Sequence, residues 1–338
     1  MSIKDVAKAA GVSPSTVSRV VNGGDRSAAS RETQDRIWAA VREQGYIPNQ
    51  YARSLKCAST PDNKKTQVFD CIYARLAGAE LDPFFTTLMH EAEIEALSHG
   101  YHLRRQYSVE DIRKKRVPAP DENTKAAFVL GRVDESTIRE LQKYYRHLIC
   151  MGLQDKPLPI DQVLCRGFDA AKTCIHYLHS LGHSRICYLG ETNDEQRYTG
   201  YLEAMAEIGI IDPSPYVINT SFTSAGGYEA IHRLMAQGTS CSAIFCASDL
   251  IAGSALRALK ELRLKVPQDV SLIGINDMET VRYLDPMLTA IAVPLEEMGK
   301  QAAKLLIDRI EGGHKLPTKV LIPGTLVQRE SCSELKKG

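Results

Sequence analysis

Long apolar runs, signal-like segments and paired cysteines are all missing from this chain of 338 residues. No apolar run approaches the ~18 residues of a membrane-spanning helix, and the amino terminus lacks the apolar region of a secretory signal peptide. The nine cysteines are scattered and include no C-x-x-C pair, which argues against a disulfide framework or a zinc site. We therefore predict a cytoplasmic protein with reduced thiols, no membrane partner and no metal.

Sequence motifs for nucleotide cofactors and for common hydrolytic chemistry are also absent. No G-x-G-x-x-G follows a predicted strand and no G-x-x-x-x-G-K-S/T occurs, so nothing indicates a dinucleotide or a nucleoside triphosphate. No G-x-S-x-G elbow occurs, and the nine histidines show no metal-ligand spacing. The sequence therefore predicts no catalytic residues and no cofactor.

Charge is distributed unevenly, although the net charge of the chain is only +1. Residues 1–65 contain eleven lysines and arginines against six acidic residues, so the remainder of the chain is acidic. A basic head on an acidic body suits a protein that contacts nucleic acid at one end.

Two short helices separated by a tight turn are predicted at the amino terminus. Ser2 and Asp5 match the Ser/Thr-x-x-Asp/Glu start signal of a first helix, and Gly11 allows the chain to leave that helix sharply. Ser13 is a suitable N-cap for a second helix, in which Pro14 takes the first position. Such a pair of helices is typical of the DNA-binding helix-turn-helix.

The outward side of the second helix carries side chains suited to DNA, because its amino-terminal residues reach base edges in the major groove. Arg19 can donate two hydrogen bonds to a guanine edge, worth roughly 1–3 kcal/mol of discrimination. Pro14 and Ser15 would read neighbouring pairs, whereas Ser13 and Thr16 would contact phosphates. A generic solvated helix pair is the alternative. The predicted DNA-facing set is Ser13, Pro14, Ser15, Thr16, Arg19 and Asn22.

A third helix and a short fourth helix are predicted before the composition changes. Ser30 caps the third helix, which ends at Gly45. Asn49 can cap a helix of about two turns, which is marginal in isolation because helix nucleation is costly. We expect this short helix to order only when something packs against it. Residues 58–66 form a polar linker and a domain boundary.

From Gln67 onward, short apolar strands alternate with amphipathic helices. Such alternation predicts parallel sheets covered by helices on both faces. The predicted strands are Val68–Ala74, His102–Tyr107, Ala126–Leu130, His147–Met151, Arg185–Leu189, Ala243–Ala247 and Ser271–Ile275. The predicted helices are Phe84–His99, Glu135–Tyr145, Ala170–Leu181, Tyr198–Ile208, Ser224–Ala236, Leu250–Leu262 and Leu295–Glu311. The repetition indicates two similar α/β halves with a break near Cys165–Asp169.

Several motifs, in order along nearly the whole chain, resemble those of the LacI/GalR family of sugar-responsive repressors. They are residues 3–22 and 46–56, Asp82–Phe85, Leu181–Ile186, Ala247–Asp249, Val266–Asp277 and Leu288–Ile291. The resemblance implies an all-α helix-turn-helix domain and an α/β core of two periplasmic-binding-protein-like subdomains. It places the head at 1–46, the hinge helix and linker at 47–66, the core at 67–333 and a tail at 334–338. Within the core it assigns 67–166 with 294–325 to an N-subdomain, and 167–293 with 326–333 to a C-subdomain.

The resemblance also implies a homodimer whose paired hinge helices enter the minor groove of operator DNA. Leu55 matches the apolar wedge that unstacks a base step and kinks the duplex, although a core leucine of a short helix is the alternative. The other hinge residues of the matching motif are Asn49, Ala52, Arg53 and Lys56. No heptad segment follows Gly324–Arg329, so we expect a dimer without a tetramerisation helix.

The resemblance places an effector site where the two halves of the core face each other. Arg197 matches an arginine that contacts sugar hydroxyls, and Phe222 matches an aromatic platform. The full predicted set is Arg75, Phe84, Arg197, Phe222, Ser248, Asp249, Asn276 and Asp277. Structural alternatives are a core role for Phe222, helix capping by Asp249 and a structural ion pair for Arg197. The family pattern usually has Asn at 248 and Asp at 276, and Met151 and Val293 replace polar contacts of lactose-type members, which leaves the ligand open.

Together these features predict a sequence-specific DNA-binding transcriptional regulator. The leading hypothesis is a repressor of a carbohydrate-utilisation operon that is controlled by a small sugar, and the resemblance to regulators of β-galactosidase genes suggests a galactoside. Three alternatives stay open: a co-repressor-type regulator with a non-sugar ligand, a sugar-binding α/β enzyme with a DNA-binding head, and a ligand-free architectural DNA-binding protein.

Overall fold

A computed structural model describes residues 3–21, 30, 33, 34, 36, 37, 40, 67–74, 82–114 and 125–335 of the chain. Its residues fall into two units, 1–64 and 65–338. The described helices and strands of the first unit are α1 (Ile3–Ala10) and α2 (Pro14–Val21), and residues 33, 34, 36, 37 and 40 are also helical.

The first unit is held together by a small apolar core. Gly11 leaves α1 with a φ of 66°, a left-handed conformation that glycine adopts without strain. The N–H of Val12 then donates to the carbonyl of Ala7 at 3.0 Å. The predicted cap of the third helix is confirmed, because Ser30 Oγ accepts from the N–H of Thr33 at 3.3 Å. The buried side chains are Val6, Ala7, Ala10, Val17, Val20, Ile37 and Ala40.

The second unit alternates strands and helices as the sequence predicts. Its elements in chain order are β1 (Gln67–Tyr73), α3 (Pro83–Ser98), β2 (Tyr101–Ser108), α4 (Val109–Arg113), β3 (Ala126–Leu130), α5 (Glu135–Leu141), β4 (His147–Gly152), β5 (Asp161–Leu164), α6 (Gly167–Ser180), β6 (Ile186–Gly190), α7 (Gln196–Glu207), β7 (Val217–Asn219), α8 (Ser224–Ala236), β8 (Ala243–Cys246), α9 (Asp249–Glu261), β9 (Ser271–Asn276), β10 (Thr289–Ala292), α10 (Leu295–Glu311), β11 (Lys319–Leu321) and β12 (Thr325–Val327).

The strands form two six-stranded sheets, which define two lobes. The first lobe has the strand order β11-β5-β4-β3-β1-β2 and the second has β12-β10-β9-β8-β6-β7. The described strand pairs are parallel except β10 with β12. Central strands such as β3 and β8 are buried along their whole length, as expected for parallel strands covered on both faces.

The chain passes between the lobes three times. It leaves the first sheet after β5, returns to the first lobe after β10, and crosses again between β11 and β12. On the first lobe α10 packs so closely on α3 that a Cβ at Gly299 would lie 2.6 Å from the backbone N of Ala92. The carboxyl ends of β3, β4, β6 and β9 lead into the loops between the lobes, which is where open α/β sheets bind ligands.

Among the described residues, no helix is long and apolar enough to cross a membrane. The eight cysteines within the described ranges are free thiols. In the same part of the chain, no three His, Cys, Asp or Glu side chains are grouped so that they could hold a metal ion.

Candidate functional site

The amino-terminal turn of α2 is shaped by the hydroxyl of Ser13. Ser13 Oγ accepts a hydrogen bond from the N–H of Thr16 at 3.1 Å, so the predicted N-cap is confirmed. The same oxygen lies 2.7 Å from Ser15 Oγ and 2.8 Å from Thr16 Oγ1. Ser13, Pro14 and Ser15 are exposed, whereas Val17 is buried in the core of the head. This turn therefore presents hydroxyl groups and a proline ring to solvent.

For the next residues predicted to contact DNA, the side chains lie outside the described part of the chain. Arg19 lies within α2, and its side chain is outside the described part of the chain. Outside the described residues altogether are Asn22, Asn49, Ala52, Arg53, Leu55 and Lys56, together with the predicted cleft residue Arg75.

A cavity of about 50 Å³ lies between the two lobes at the carboxyl ends of their strands; we call it the interlobe cavity. Five of the predicted effector residues line it: Phe84, Arg197, Phe222, Ser248 and Asn276. Its other lining residues are Asp82, Phe85, Gly131, Arg132, Leu153, Gln154 and Glu195. The structure therefore brings most of the described effector set together and adds polar residues that the motifs did not reveal.

Arg197 is held in place by a carboxylate on its own helix. Glu195 is the N-cap of α7 and accepts from the Arg197 backbone N–H at 3.1 Å. The Arg197 side chain donates to Glu195 through Nε at 2.7 Å and Nη2 at 2.9 Å, and through Nη1 to the carbonyl of Ala247 at 2.7 Å. Burial alone would raise the pKa of Glu195, but the charge and hydrogen bonds of Arg197 outweigh it and lower that pKa.

Phe222 completes the wall beside this ion pair. The guanidinium carbon of Arg197 lies 4.1 Å from the centroid of the Phe222 ring, a cation–π distance. Both side chains are buried, with 8% of Arg197 and 5% of Phe222 exposed. An arginine has five N–H donors, and three are used here, so two remain for a ligand.

Two amide side chains face the interlobe cavity with unused polar atoms. Gln154 follows β4 in the first lobe, and Asn276 ends β9 in the second. Neither Oε1 nor Nε2 of Gln154, and not Oδ1 of Asn276, has a hydrogen-bond partner among the described residues, although both side chains are more than nine-tenths buried. An unpaired buried polar atom costs about 1–3 kcal/mol, so these atoms indicate a site for a polar ligand.

The predicted residues Asp249 and Asp277 do not line the interlobe cavity. Ser248, not Asp249, is the N-cap of α9, and Asp249 Oδ2 accepts from the N–H of Met278 at 2.7 Å. Asp277 forms a bidentate ion pair with Arg329 at 2.5 and 3.0 Å. These carboxylates hold the turn after β9, and so they position Asn276.

Asp249 is also a buried titratable group. Burial is the main cause that raises its pKa, the Met278 hydrogen bond lowers it and the nearby Asp277 also raises it, and together they bring the pKa to about 8. Its Oδ1 has no hydrogen-bond partner among the described residues. Near neutral pH this carboxyl is therefore largely protonated.

A set of contacts joins the lobes beside the interlobe cavity. Arg132, directly after β3, donates to the carbonyls of Asn193 at 2.6 Å and Asp194 at 2.9 Å, and to the carboxylate of Glu191. Lys156 pairs with Asp194. The backbone of Asp155 and the amide of Gln196 exchange hydrogen bonds of 2.8 and 2.6 Å. Loop 191–196 of the second lobe is thus fastened to the first lobe.

Gln154, Arg132 and Glu195 were missed by sequence reasoning. Each follows closely after a strand that the sequence did predict, at the edge where α/β sheets place their ligand-binding residues. Position at a strand end was therefore the signal that could have found them.

Comparisons with known proteins agree with this fold. Residues 2–49 match bacterial regulatory proteins of the lacI family, and residues 175–332 match a periplasmic binding protein-like domain. The chain is 30% identical over 349 residues to the HTH-type transcriptional repressor PurR of Erwinia tasmaniensis, covering 98% of this chain and 97% of that protein.

Two solved structures share the fold. The transcriptional regulator CelR in complex with cellobiose has 25% sequence identity and a TM-score of 0.71, and the match covers 98% of this chain and 99% of that one. A LacI family transcriptional regulator from Enterococcus faecium with bound ribose has 26% identity and a TM-score of 0.67, over 80% of this chain and 100% of that one.

Proposed function

Because this chain belongs to the LacI/GalR family of transcriptional regulators, we propose that it represses a carbohydrate-utilisation operon and is controlled by a small sugar bound in the interlobe cavity. Its relatives are transcriptional repressors and not enzymes. Repressors of this family bind operator DNA and small-molecule effectors and function as dimers. The sugar, the operon and the residues that contact ligand and DNA are the parts that we propose.

The unpaired amide atoms of Gln154 and Asn276 carry the proposal of a sugar. They offer two acceptors and one amide donor group from opposite lobes of the same cavity. A sugar hydroxyl both donates and accepts hydrogen bonds, so adjacent hydroxyls of one ring can satisfy both side chains at once. The two remaining donors of Arg197 add a third polar contact.

The size of the interlobe cavity ties ligand binding to movement of the lobes. Ligand sites usually measure about 300–1,000 Å³, whereas this cavity measures about 50 Å³. A sugar therefore requires a different separation of the lobes, or a displacement of cavity side chains. A ligand that fits one arrangement of the lobes better than another shifts the population toward it, which is the basis of effector control.

On the DNA side, we propose that the exposed turn of α2 reads the operator. Ser13 and Thr16 would contact phosphates, and Pro14, Ser15 and Arg19 would contact base edges in the major groove. Asn22, Asn49, Ala52, Arg53, Leu55 and Lys56 complete the proposed contact set by their positions in the family motif. A sugar that weakens operator binding must itself bind the DNA-free protein more tightly, because coupling is reciprocal.

Fluorescence anisotropy of labelled operator, selected from a random palindromic pool, tests the proposal at fixed salt. We expect one sugar from a panel of galactosides and glucosides to weaken operator binding by tenfold or more, about 1.4 kcal/mol of coupling. Gln154→Ala should abolish this response and leave operator affinity unchanged. The matched change Gln237→Ala, at an exposed glutamine, should leave both the response and the operator affinity unchanged.

Three other outcomes contradict parts of the proposal. A sugar that strengthens operator binding reverses the direction of control and makes the protein a co-repressor type. A purine that acts where no sugar does removes the sugar assignment and keeps the repressor. If no selected DNA binds above the non-specific level, the proposed DNA contacts are wrong.

A further inference from the structure

A further cavity lies on the first lobe, at the opposite edge of its sheet from the interlobe cavity. Its volume is about 540 Å³, within the range of about 300–1,000 Å³ that is usual for small-molecule sites. His147, the first residue of β4, and Asp161, the first residue of β5, line it together with the loop that follows α10. We call it the amino-edge cavity, because the strands begin here and end at the interlobe cavity.

Positive side chains dominate the lining of the amino-edge cavity, whose charged groups are Arg146, Asp161, Arg309, His314 and Lys315. Asp161, the one carboxylate within this described lining, accepts from Nε and Nη2 of Arg309 at 2.8 and 2.6 Å. It also accepts from Nε2 of His314 at 2.9 Å and from the N–H of Thr318 at 2.7 Å. An ionised carboxylate has about four acceptor sites, so Asp161 has none left for another cation.

His314 adds a positive charge to this lining. Its Nδ1 contacts the carboxylate of Asp308 and its Nε2 contacts that of Asp161. Ionised carboxylates only accept hydrogen bonds, so both ring nitrogens must donate, which only the imidazolium can do. Burial alone would lower the pKa of His314, but the hydrogen bonds to Asp308 and Asp161 outweigh it and raise that pKa. This network fixes the loop after α10, where Arg309 also donates to the carbonyl of Lys315 at 2.7 Å.

Three further donors of the amino-edge cavity are unused. The side chains of Arg146, His147 and Lys315 make no hydrogen bond or ion pair with another described residue. The backbone N–H groups of Arg146 and His147 donate to the carbonyl of Lys125 at 2.8 and 2.9 Å, which fixes the start of β4. Burial, and then the charges of Arg146 and Arg309, lower the pKa of His147. Near neutral pH it is therefore a neutral imidazole with one N–H donor.

We propose that the amino-edge cavity binds a small phosphate ester, with the phosphate held by Arg146, His147 and Lys315. A phosphate monoester carries a charge of about −1.5 to −2 at pH 7 and three strong acceptor oxygens. The three unused donors come from two separate segments, the start of β4 and the loop after α10. Arginine can pair with two phosphate oxygens at once, and lysine acts as a point charge. A carboxylate has only two oxygens, so this donor set favours phosphate.

The rest of the wall favours an ester over free phosphate. Apolar surface comes from Leu148, Pro159, Ile160 and Pro317, and the exposed Gln142 adds an amide. Inorganic phosphate is far smaller than the cavity and has no apolar part. The organic group of an ester can cover this surface while its phosphate reaches the cations. This site needs neither the sugar nor the interlobe cavity, so it is independent of the proposed function.

Isothermal titration calorimetry on the full chain at constant ionic strength tests the site, with phenyl phosphate, inorganic phosphate and benzoate as probes. None of these probes is a sugar, so the proposed sugar site does not contribute. We expect phenyl phosphate to bind at least about threefold more tightly than inorganic phosphate, because of the apolar wall. It should bind at least about tenfold more tightly than benzoate, because the carboxylate has less charge and one acceptor oxygen fewer.

Substitutions that each remove one positive charge distinguish the cavity from a diffuse basic surface. Arg146→Gln should weaken phenyl phosphate at least about tenfold and Lys315→Gln at least about threefold, since each removes a charge-assisted contact. The matched controls are Arg139→Gln and Lys143→Gln, at exposed positions that do not line the cavity. Both should leave the affinity within about twofold. The basic head is the same in every variant, so any phosphate that it binds does not affect the comparison.

Four outcomes would overturn the proposal. Equal losses in Lys315→Gln and Lys143→Gln would show general attraction of an anion to a positive surface. Benzoate that binds as tightly as phenyl phosphate would remove the phosphate assignment, and inorganic phosphate that does so would remove the ester. If neither phosphate compound produces binding heat at millimolar concentration, the amino-edge cavity is not a phosphate site, and the proposed sugar-controlled repressor is unaffected.

Discussion

The guanidinium of Arg197 is stacked on Phe222 at 4.1 Å while it is bound at both edges, by Glu195 and by the carbonyl of Ala247. The arginine is therefore fixed in orientation before any ligand arrives. Such preorganisation lowers the entropy that a ligand would otherwise lose on ordering its partner. The structural ion pair and the ligand contact, which the sequence left as alternatives, are compatible roles of one side chain.

Removing Arg197 should destabilise the core, because Glu195 would remain buried without its charge partner. We expect Arg197→Met to lower the free energy of unfolding by about 3–5 kcal/mol. Adding Glu195→Gln to this variant should restore at least about 1 kcal/mol, since it removes the uncompensated charge. Urea denaturation of the single and double variants measures the difference. Additive losses in the double variant would show that the two side chains act independently.

Replacing Asp249 should stabilise the protein in a pH-dependent way. Its folded pKa is about 8 and its unfolded pKa is near 3.9, so the native state retains a proton that the unfolded chain releases. Stability from this group is complete below about pH 4 and is lost as pH rises toward about 8. Asp249→Asn has no ionisable group at this position, so its free energy of unfolding should not fall in this way. Between about pH 4 and pH 8, the difference in free energy of unfolding between this variant and the natural chain should grow by up to about 1.4 kcal/mol per pH unit.

Thermal unfolding of both chains at pH 5, 6, 7 and 8 measures the advantage of Asp249→Asn. A difference that stays constant over this range would contradict the raised pKa.

Asn276 has a strained backbone conformation and an amide side chain that lines the interlobe cavity. Two substitutions should distinguish the effect of the strain on stability from the effect of the amide on effector binding. Its φ of 125° lies in a region that favours glycine, where a non-glycine residue costs about 1–3 kcal/mol. Asn276→Gly relieves this strain but adds up to about 1 kcal/mol of unfolded-state entropy, so stability should be unchanged or higher. Effector binding should fall, because the amide is gone.

Asn276→Ala is the matched control, since it removes the amide and keeps the strain. It should be less stable than Asn276→Gly and should likewise lose effector binding. Equal melting temperatures for the glycine and alanine substitutions would contradict the strain at this position.

Ser13 should contribute more to the stability of the helix-turn-helix head than its neighbour Ser15, because Ser13 Oγ caps α2 by accepting from the N–H of Thr16. We expect Ser13→Ala to destabilise the head by about 1 kcal/mol and Ser13→Gly by a few tenths. Ser15→Ala removes a nearby hydroxyl and retains the cap. Hydrogen exchange of the Thr16 amide in the full chain measures the effect, and equal protection in all three variants would contradict the capping role.

Much of the core fold could be predicted, because long buried strands leave clear apolar runs. All seven predicted strands are present, with ends within one residue of the prediction. The strands that were missed, β5, β7, β10, β11 and β12, have three or four residues each. Runs this short carry too little apolar periodicity to stand out, and pairing with a neighbouring strand defines them instead.

One predicted helix was too long for a reason that lies far away in the sequence. The helix predicted to run from Glu135 to Tyr145 ends at Leu141. Tyr145 instead lies where its hydroxyl donates to the buried carboxylate of Asp70 at 2.8 Å. That partner belongs to β1, so no local pattern around Tyr145 could indicate it.

For the proposed effector site, the sequence indicated several of the residues that line the interlobe cavity but not all of its polar groups. Motif positions indicated Phe84, Arg197 and Phe222, which line the interlobe cavity. Gln154 and Glu195 were not indicated, because their roles depend on which loops the two sheets bring together. Similarly, Asp277 and Arg329 are paired although they lie 52 residues apart in the sequence, so no helical or strand spacing could indicate this ion pair.

The three passages of the chain between the lobes have a consequence for the gene. Neither lobe is encoded by a contiguous stretch, because the first lobe needs β11 from near the end of the coding sequence and the second needs β12 just after it. A premature stop codon before residue 319 therefore removes a strand from both sheets at once. To express one lobe alone, its segments would have to be joined in a new order, so recombination is expected to exchange the two lobes together.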